Sequence, residues 1–220
     1  MSALSELIAT RFGGILLAGK HKMTLDLESF QLSAGAHGTK FAGQACFIEA
    51  ASVYHGEPFR DRAVDEFCPR IEAYGRILND WLPDADRQRL KAFIPRLKNT
   101  RGTPEQDQRK RWMIQDTATR VFAAEALRAA GLTEQADQLA ACTVTDQASS
   151  DAASASAARA AEAAEAARAA WAAWAAWAAG AASAARAAGA ARAAGAAIID
   201  DAIDLLDRLI RVTEEACPHR

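Results

Sequence analysis

The chain has 220 residues, a mass of 23.4 kDa and a formal charge of −2, with half of its residues apolar and 25% charged. That balance excludes wholesale disorder and a globally basic nucleic-acid coat, and the length fits one domain with an appendage or two small domains. Four cysteines (Cys46, Cys68, Cys142, Cys217) without a CxxC spacing do not make a disulfide-dense scaffold.

Ser5, Glu6 and Arg11 interrupt the early apolar residues, so no signal peptide is expected and the chain reads as cytoplasmic. Residues 2–12 predict a short helix closed by Gly13-Gly14. Residues 15–18 have strand character without a partner strand of similar strength, and Gly35, Gly38 and Gly43 point to loops. The stretch 44–54 (QACFIEAASVY) predicts a helix with Phe47, Ala51 and Tyr54 on one face and Ile48 beside them, stopped at Gly56-Glu57-Pro58.

Pro69 suits the first position of the next helix, which runs to about Trp81 with Ile71, Tyr74 and Leu78 inward. Pro83-Asp84 restarts a helix through Arg87 to Phe93, and Pro95 ends it. Thr103-Pro104-Glu105-Gln106 combines an N-cap threonine, a proline at the first helical position and the glutamine of a capping box. This helix is expected to reach Ala130, with Gly131 as its left-handed cap and Ile114, Ala118, Val121 and Phe122 inward. Thr133 caps a shorter helix to about Cys142. The fold class is therefore all-α: residues 1–147 form an irregular helical bundle with an irregular N-terminal segment.

Composition then changes. Between residues 152 and 197, 31 of 46 residues are alanine, and from Ser156 to Ile198 the text is X-Ala-Ala without a break. Alanine has the highest helix propensity, so 148–197 reads as a helical segment, either one rod or broken near Gly180, Gly189 or Gly195. One rod would be about 70 Å long at about 1.5 Å per residue, several times the roughly 15 Å radius of gyration of such a body. A period of three drifts by roughly 60° per triplet on an α-helix, which argues against a coiled-coil seam. Locally, however, Trp171, Trp174 and Trp177 sweep one arc, with Glu165, Arg168, Ser183 and Arg186 on the other side. Three indoles each bury on the order of 200 Å², so this wall is expected to dock, first on the body and next on a second copy. Residues 169–185 are uncharged, yet alanine barely drives insertion, and a membrane ranks behind both. Slippage of a nine-nucleotide unit accounts for the origin of the triplets and is compatible with a packing role.

Residues 198–220 return to amphipathic text. Ile199, Ile203, Leu206 and Ile210 mark one stripe, widened by Leu205, Leu209 and Val212, against Asp200, Asp204, Asp207 and Arg211. This last helix is expected to close the bundle.

Two groups carry candidate chemistry. His21, Cys46, Glu49, Asp61 and Cys68 supply thiol, imidazole and carboxylate groups for a divalent metal or a thiolate nucleophile, Cys46 and Glu49 sharing a helical face. Against this, each pairing is single; Cys46 also reads as a small core residue, with Glu49 capping its helix or pairing with Arg60 or Arg62. His37 and His55 stand alone beside glycines as loop residues. The second group is the basic stretch 87–111, with Arg96, Lys98, Arg101, Arg109, Lys110 and Arg111 among nine cations, and Trp112 beside it for stacking on bases. Solvated helix faces explain the same pattern. Walker, GxGxxG, HExxH and GxSxG motifs do not occur.

The stretch 43–139 carries Cys46-x-x-Glu49-Ala50, Gly56-Glu57-Pro58, Asp61, Cys68, Asn79-Asp80, Leu82-Pro83, Pro95-x-Leu97, Thr100-Arg101-Gly102, Asp116, Arg120 and Ala130-Gly131-Leu132. In these residues it resembles a family of uncharacterised bacterial and phage-borne helical proteins, whose members often have alanine/tryptophan-rich tails. The resemblance implies no activity, and it raises the weight of the cysteine/carboxylate group. Together these features predict a non-catalytic helical interaction or scaffold protein without a resident cofactor. The alternatives are a metal-binding or thiol enzyme and, behind it, a nucleic-acid binder. Self-association or a protein partner ranks ahead of nucleic acid and membrane.

Overall fold

The computed structural model describes residues 15–18, 22–37, 43–59, 65–129, 131–166 and 197–215. It opens with a short antiparallel hairpin of β1 (Ile15–Ala18) and β2 (Lys22–Leu25), in the register Ile15↔Leu25 to Ala18↔Lys22. The partner strand missed in the sequence is therefore Lys-Met-Thr-Leu, too short for its alternation to stand out. Among the described residues the other named elements are helices, and the fold is all-α: α1 (Phe47–Tyr54), α2 (Pro69–Trp81), α3 (Asp84–Arg87), α4 (Pro104–Thr117), α5 (Ala124–Ala129), α6 (Thr133–Ala140), α7 (Gln147–Ala166) and α8 (Ala197–Glu214). No helix among the described residues is long and apolar enough to cross a membrane.

Two expected helices differ in detail. α3 passes into a 3-10 helix, Gln88–Arg96, that carries Pro95 inside it rather than stopping before it. Pro95 falls in the last turn of this helix, whose tighter winding places Leu90, Phe93 and Ile94 inward. The long helix capped by Thr103 is continuous to Ala129 but widens into a π turn at Ala118–Ala123. The wide turn shifts the register, so that Ile114, Ala118 and Phe122 face one cluster and Ala123, Ala124 and Leu127 another.

The main core joins α1, α2, the 3-10 helix, α4 and α8. Tyr74 sits at its centre, fully buried, and its hydroxyl donates to the Ala202 carbonyl of α8 at 2.8 Å. Ile198, Ala202, Leu205, Leu206, Leu209 and Ile210 complete this core, so α8 is packed on the body along its apolar stripe. The smaller cluster is mostly alanine: Ala157 and Ala160 of α7 lie against Ala123, Ala124, Leu127, Ala136 and Leu139. Small side chains let α5, α6 and α7 approach closely, which spends part of the alanine-rich text on packing.

Candidate functional site

Cys46 is the N-cap of α1, in extended conformation, and the Glu49 side chain turns back to accept its backbone N–H at 2.8 Å. Glu49 is fully buried, and a carboxylate out of water is costly unless its lone pairs are used. They are: the His37 backbone N–H donates to one oxygen at 2.7 Å, and His37 Nδ1 lies 2.8 Å from the other. A carboxylate partner makes Nδ1 the protonated nitrogen. Glu49 is thus a cap, as one of the sequence alternatives had it, and its side-chain partner is His37. Arg60 and Arg62 lie outside the described residues.

The segment carrying His37 is also held by side chains from α2 and the 3-10 helix. Gln88 gives and takes hydrogen bonds with the Leu32 backbone (2.9 and 3.0 Å), and Asn79 donates to the Ser33 carbonyl (2.9 Å) while accepting from the Phe47 N–H (3.1 Å). Lys91 donates to the Phe30 carbonyl at 3.0 Å. These long-range staples, invisible in local periodicity, give this glycine-containing stretch its place. His55, the other histidine assigned to a loop, donates Nε2–H to the Ile94 carbonyl at 2.9 Å between the edges of Tyr54 and Phe67. Burial pushes its pKa below the ordinary histidine value.

Cys68 belongs to a different cluster. It is the N-cap of α2, fully buried; its N–H donates to Thr100 Oγ1 at 3.1 Å and its Sγ lies 3.9 Å from Asp107, which Arg70 holds at 2.9 Å. Beside it Lys110 is fully buried and its ammonium donates to the Thr100 carbonyl. Burial lowers the Lys110 pKa, with Cys68 and Asp107 opposing that shift. Cys46 with Glu49 and Cys68 with Lys110 are therefore separate polar groups. Among the described residues no set of three or more His, Cys, Asp and Glu side chains is arranged to hold a metal ion. His21 and Asp61 lie outside the described residues.

Two arginines of the basic stretch face α8. Arg96 spans Asp207 (2.6 Å) and Glu214 (2.8 and 2.7 Å), and Arg89 meets Asp200 at 2.8 Å. The hydrogen bond from Arg96 holds the Glu214 carboxyl below the ordinary carboxylate range. At Asp207 burial pushes the other way, and Arg96 and Arg211 outweigh it to keep that pKa low as well. Lys98 faces Glu66 at 3.5 Å, Arg109 faces Glu215 at 3.6 Å, and Arg101 donates to the Asp65 carbonyl at 2.8 Å. Lys110 points inward, so it does not join a surface row of cations, and Arg111 stacks on the Trp112 ring at 4.7 Å. The sequence offered solvated helix faces or a phosphate-binding patch here; Arg89 and Arg96 of the stretch form a clamp on the last helix.

Next to that clamp lies a groove of about 650 Å³. Pro104, Arg109, Trp112 and Met113 of α4, Val144 of the loop before α7, and Arg208 of α8 line it. Asp116 fixes the loop by accepting the Val144 N–H at 2.9 Å, and Arg208 is steadied by Thr117 at 3.1 Å and Asp204 at 2.9 Å. Sequence reasoning noted Trp112 only for base stacking; nothing local shows that the 143–145 loop and α8 would wall it. Trp171, Trp174 and Trp177 lie outside the described residues, between α7 and α8. No protein-family model, curated protein or solved structure matches this chain.

Proposed function

We propose that this chain is a non-catalytic α-helical interaction protein, in which the body anchors both ends of an alanine/tryptophan segment and Trp171, Trp174 and Trp177 form its contact surface. One observation carries this: α7 and α8, which flank residues 167–196, are both packed on the body, α7 through Ala153, Ala157 and Ala160 and α8 through the main core and the Arg96 clamp. A segment held at each end loses less entropy on docking than a free tail. The use of Arg89, Arg96, Lys98 and Arg109 on carboxylates favours a protein partner over nucleic acid. The resemblance to proteins with alanine/tryptophan-rich tails is part of the same proposal, as is a cytoplasmic setting.

Light scattering and thermal melting of the full chain test it against the variant with Trp171, Trp174 and Trp177 all changed to Ala. The expected result is a lower solution mass or a lower melting temperature in the variant. Identical mass and melting temperature would remove the tryptophan wall and the proposal with it.

A further inference from the structure

Cys68 of the α2 N-cap and Lys110 of α4 meet inside the body over one residue, Thr100. Cys68 gives its backbone N–H to the Thr100 hydroxyl at 3.1 Å, and the Lys110 side chain donates to the carbonyl of the same threonine. The Lys110 nitrogen is also hydrogen-bonded to the Cys68 side chain. Both residues are fully buried. The neighbouring carboxylate, Asp107, is held by Arg70 at 2.9 Å, so the hydrogen-bond partners of the lysine are a thiol and a carbonyl. Burial favours the uncharged amine, which is the nucleophilic form of lysine.

This pair has a route to solvent. A cavity of about 650 Å³ is lined by Pro69, Arg70, Arg101, Thr103 and Asp107. Pro69 follows Cys68 in the chain, and Asp107 lines the cavity while its Oδ1 lies 3.9 Å from Cys68 Sγ. A molecule in the cavity is therefore one side chain away from the sulfur. A water-sized oxidant needs only a small displacement of Asp107 to reach it, whereas a second protein thiol is kept out by the packing around Cys68.

We infer that Cys68 and Lys110 form a modification site at which hydrogen peroxide joins Sγ to Nζ through a sulfenamide bond. The amine first takes the proton of the thiol. The thiolate attacks one peroxide oxygen: an S–O bond forms, the O–O bond breaks, and the departing hydroxide takes a proton from the ammonium and leaves as water. Sulfur has then given two electrons to peroxide and stands as a sulfenic acid beside a free amine. In the second step the Nζ lone pair attacks sulfur, the S–O bond breaks, and the hydroxyl leaves as a second water with a proton from the nitrogen. One thiol, one amine and one peroxide thus give one S–N bond and two waters. The amine is already in contact with the sulfur, so it outpaces a second peroxide that must enter from the cavity. The product ties the start of α2 to α4. Excess thiol restores both side chains by attacking sulfur, first releasing the amine and then reducing the mixed disulfide.

The test treats the full chain with hydrogen peroxide, removes the excess with catalase, alkylates free thiols after denaturation and digests with trypsin. Trypsin releases Cys68 in the peptide 63–70 and cuts after an unmodified Lys110. The expected result is loss of alkylated 63–70 and its recovery joined to a peptide in which Lys110 is uncut. The joined pair should weigh two hydrogens less than its parts, and it should vanish when dithiothreitol is added to the denatured chain. Lys110→Met should instead hold Cys68 as a sulfenic acid that dimedone captures, a capture lost in wild type. Recovery of Cys68 as alkylated thiol, as sulfinic acid or in a disulfide would overturn the proposal. A joined pair that retains an added oxygen would exclude the S–N bond and overturn it equally, as would equal dimedone capture in wild type and a folded Lys110→Met. Should that variant not fold, the wild-type digest decides alone.

Discussion

Gly75 of α2 and Phe47 of α1 share one volume: a Cβ on Gly75 would come within 2.6 Å of the Phe47 ring. The glycine costs helix propensity and is retained because the phenyl ring, fully buried, occupies the place of a side chain. Gly75→Ala should therefore destabilise the fold by about 1–3 kcal/mol despite alanine's better propensity, since the ring sits in a packed core and cannot swing away. Urea unfolding checks this; a variant more stable than wild type would show that the two helices can separate freely.

Glu49 answers three donors, so its removal leaves the buried Cys46 N–H without a partner and takes the acceptor from two half-buried donors of His37. Glu49→Ala should cost about 3 kcal/mol or more, and Glu49→Gln less, because the amide oxygen still serves some of the donors. Amide exchange should report the same event locally, with the His37 N–H losing protection first. Equal stability of Glu49→Ala and wild type would contradict the network.

The Arg96 clamp predicts an acid dependence. Glu214 and Asp207 have folded pKa values depressed below their unfolded ones. Their contribution is therefore present above the unfolded carboxylate pKa of about 4 and is lost as pH falls through the lower folded values. Arg96→Met should cost about 1 kcal/mol at neutral pH, the discount reflecting partial exposure, and much less near pH 3. Denaturant midpoints at the two pH values decide it; a gap that persists at pH 3 would mean that packing of the Arg96 stem, not charge, is what was lost.

Lys110 gives a sign that intuition does not. Its ammonium is buried, and its acceptor, the Thr100 carbonyl, also receives the Thr213 hydroxyl at 3.1 Å. An apolar side chain of similar length leaves that carbonyl bonded and removes a desolvated charge. Lys110→Met should therefore lie within about 1 kcal/mol of wild type or above it, whereas Lys110→Ala, which opens a cavity, should cost about 2–4 kcal/mol. Thermal melts of the pair provide the check.

Helix existence was legible where the sequence carried local chemistry. Thr103 caps α4 with Gln106 N–H at 3.3 Å and Gln106 returns the bond to the Thr103 N–H at 2.7 Å, as the capping box predicts. The α8 stripe likewise named its buried side, including Leu206 and Ile210. Relations between distant residues were not legible. His37 looks like a loop histidine until Asn79, Gln88 and Lys91 bring its segment against α1. Lys110 looks like one more surface cation in a basic run, and its burial depends on α2 and Thr100 arriving beside it. Periodicity encodes which face turns inward; it does not encode which partner waits there.

The bond between the Tyr74 hydroxyl and the Ala202 carbonyl has a consequence for synthesis. A ribosome delivers α1 to α4 first, and then the long alanine tract, before the helix that fills the centre of their core has left the exit tunnel. Until then Tyr74, Leu78 and Phe122 have an open side, and the half-built bundle is a sticky nascent species whose completion waits for contacts more than a hundred positions away along the polypeptide.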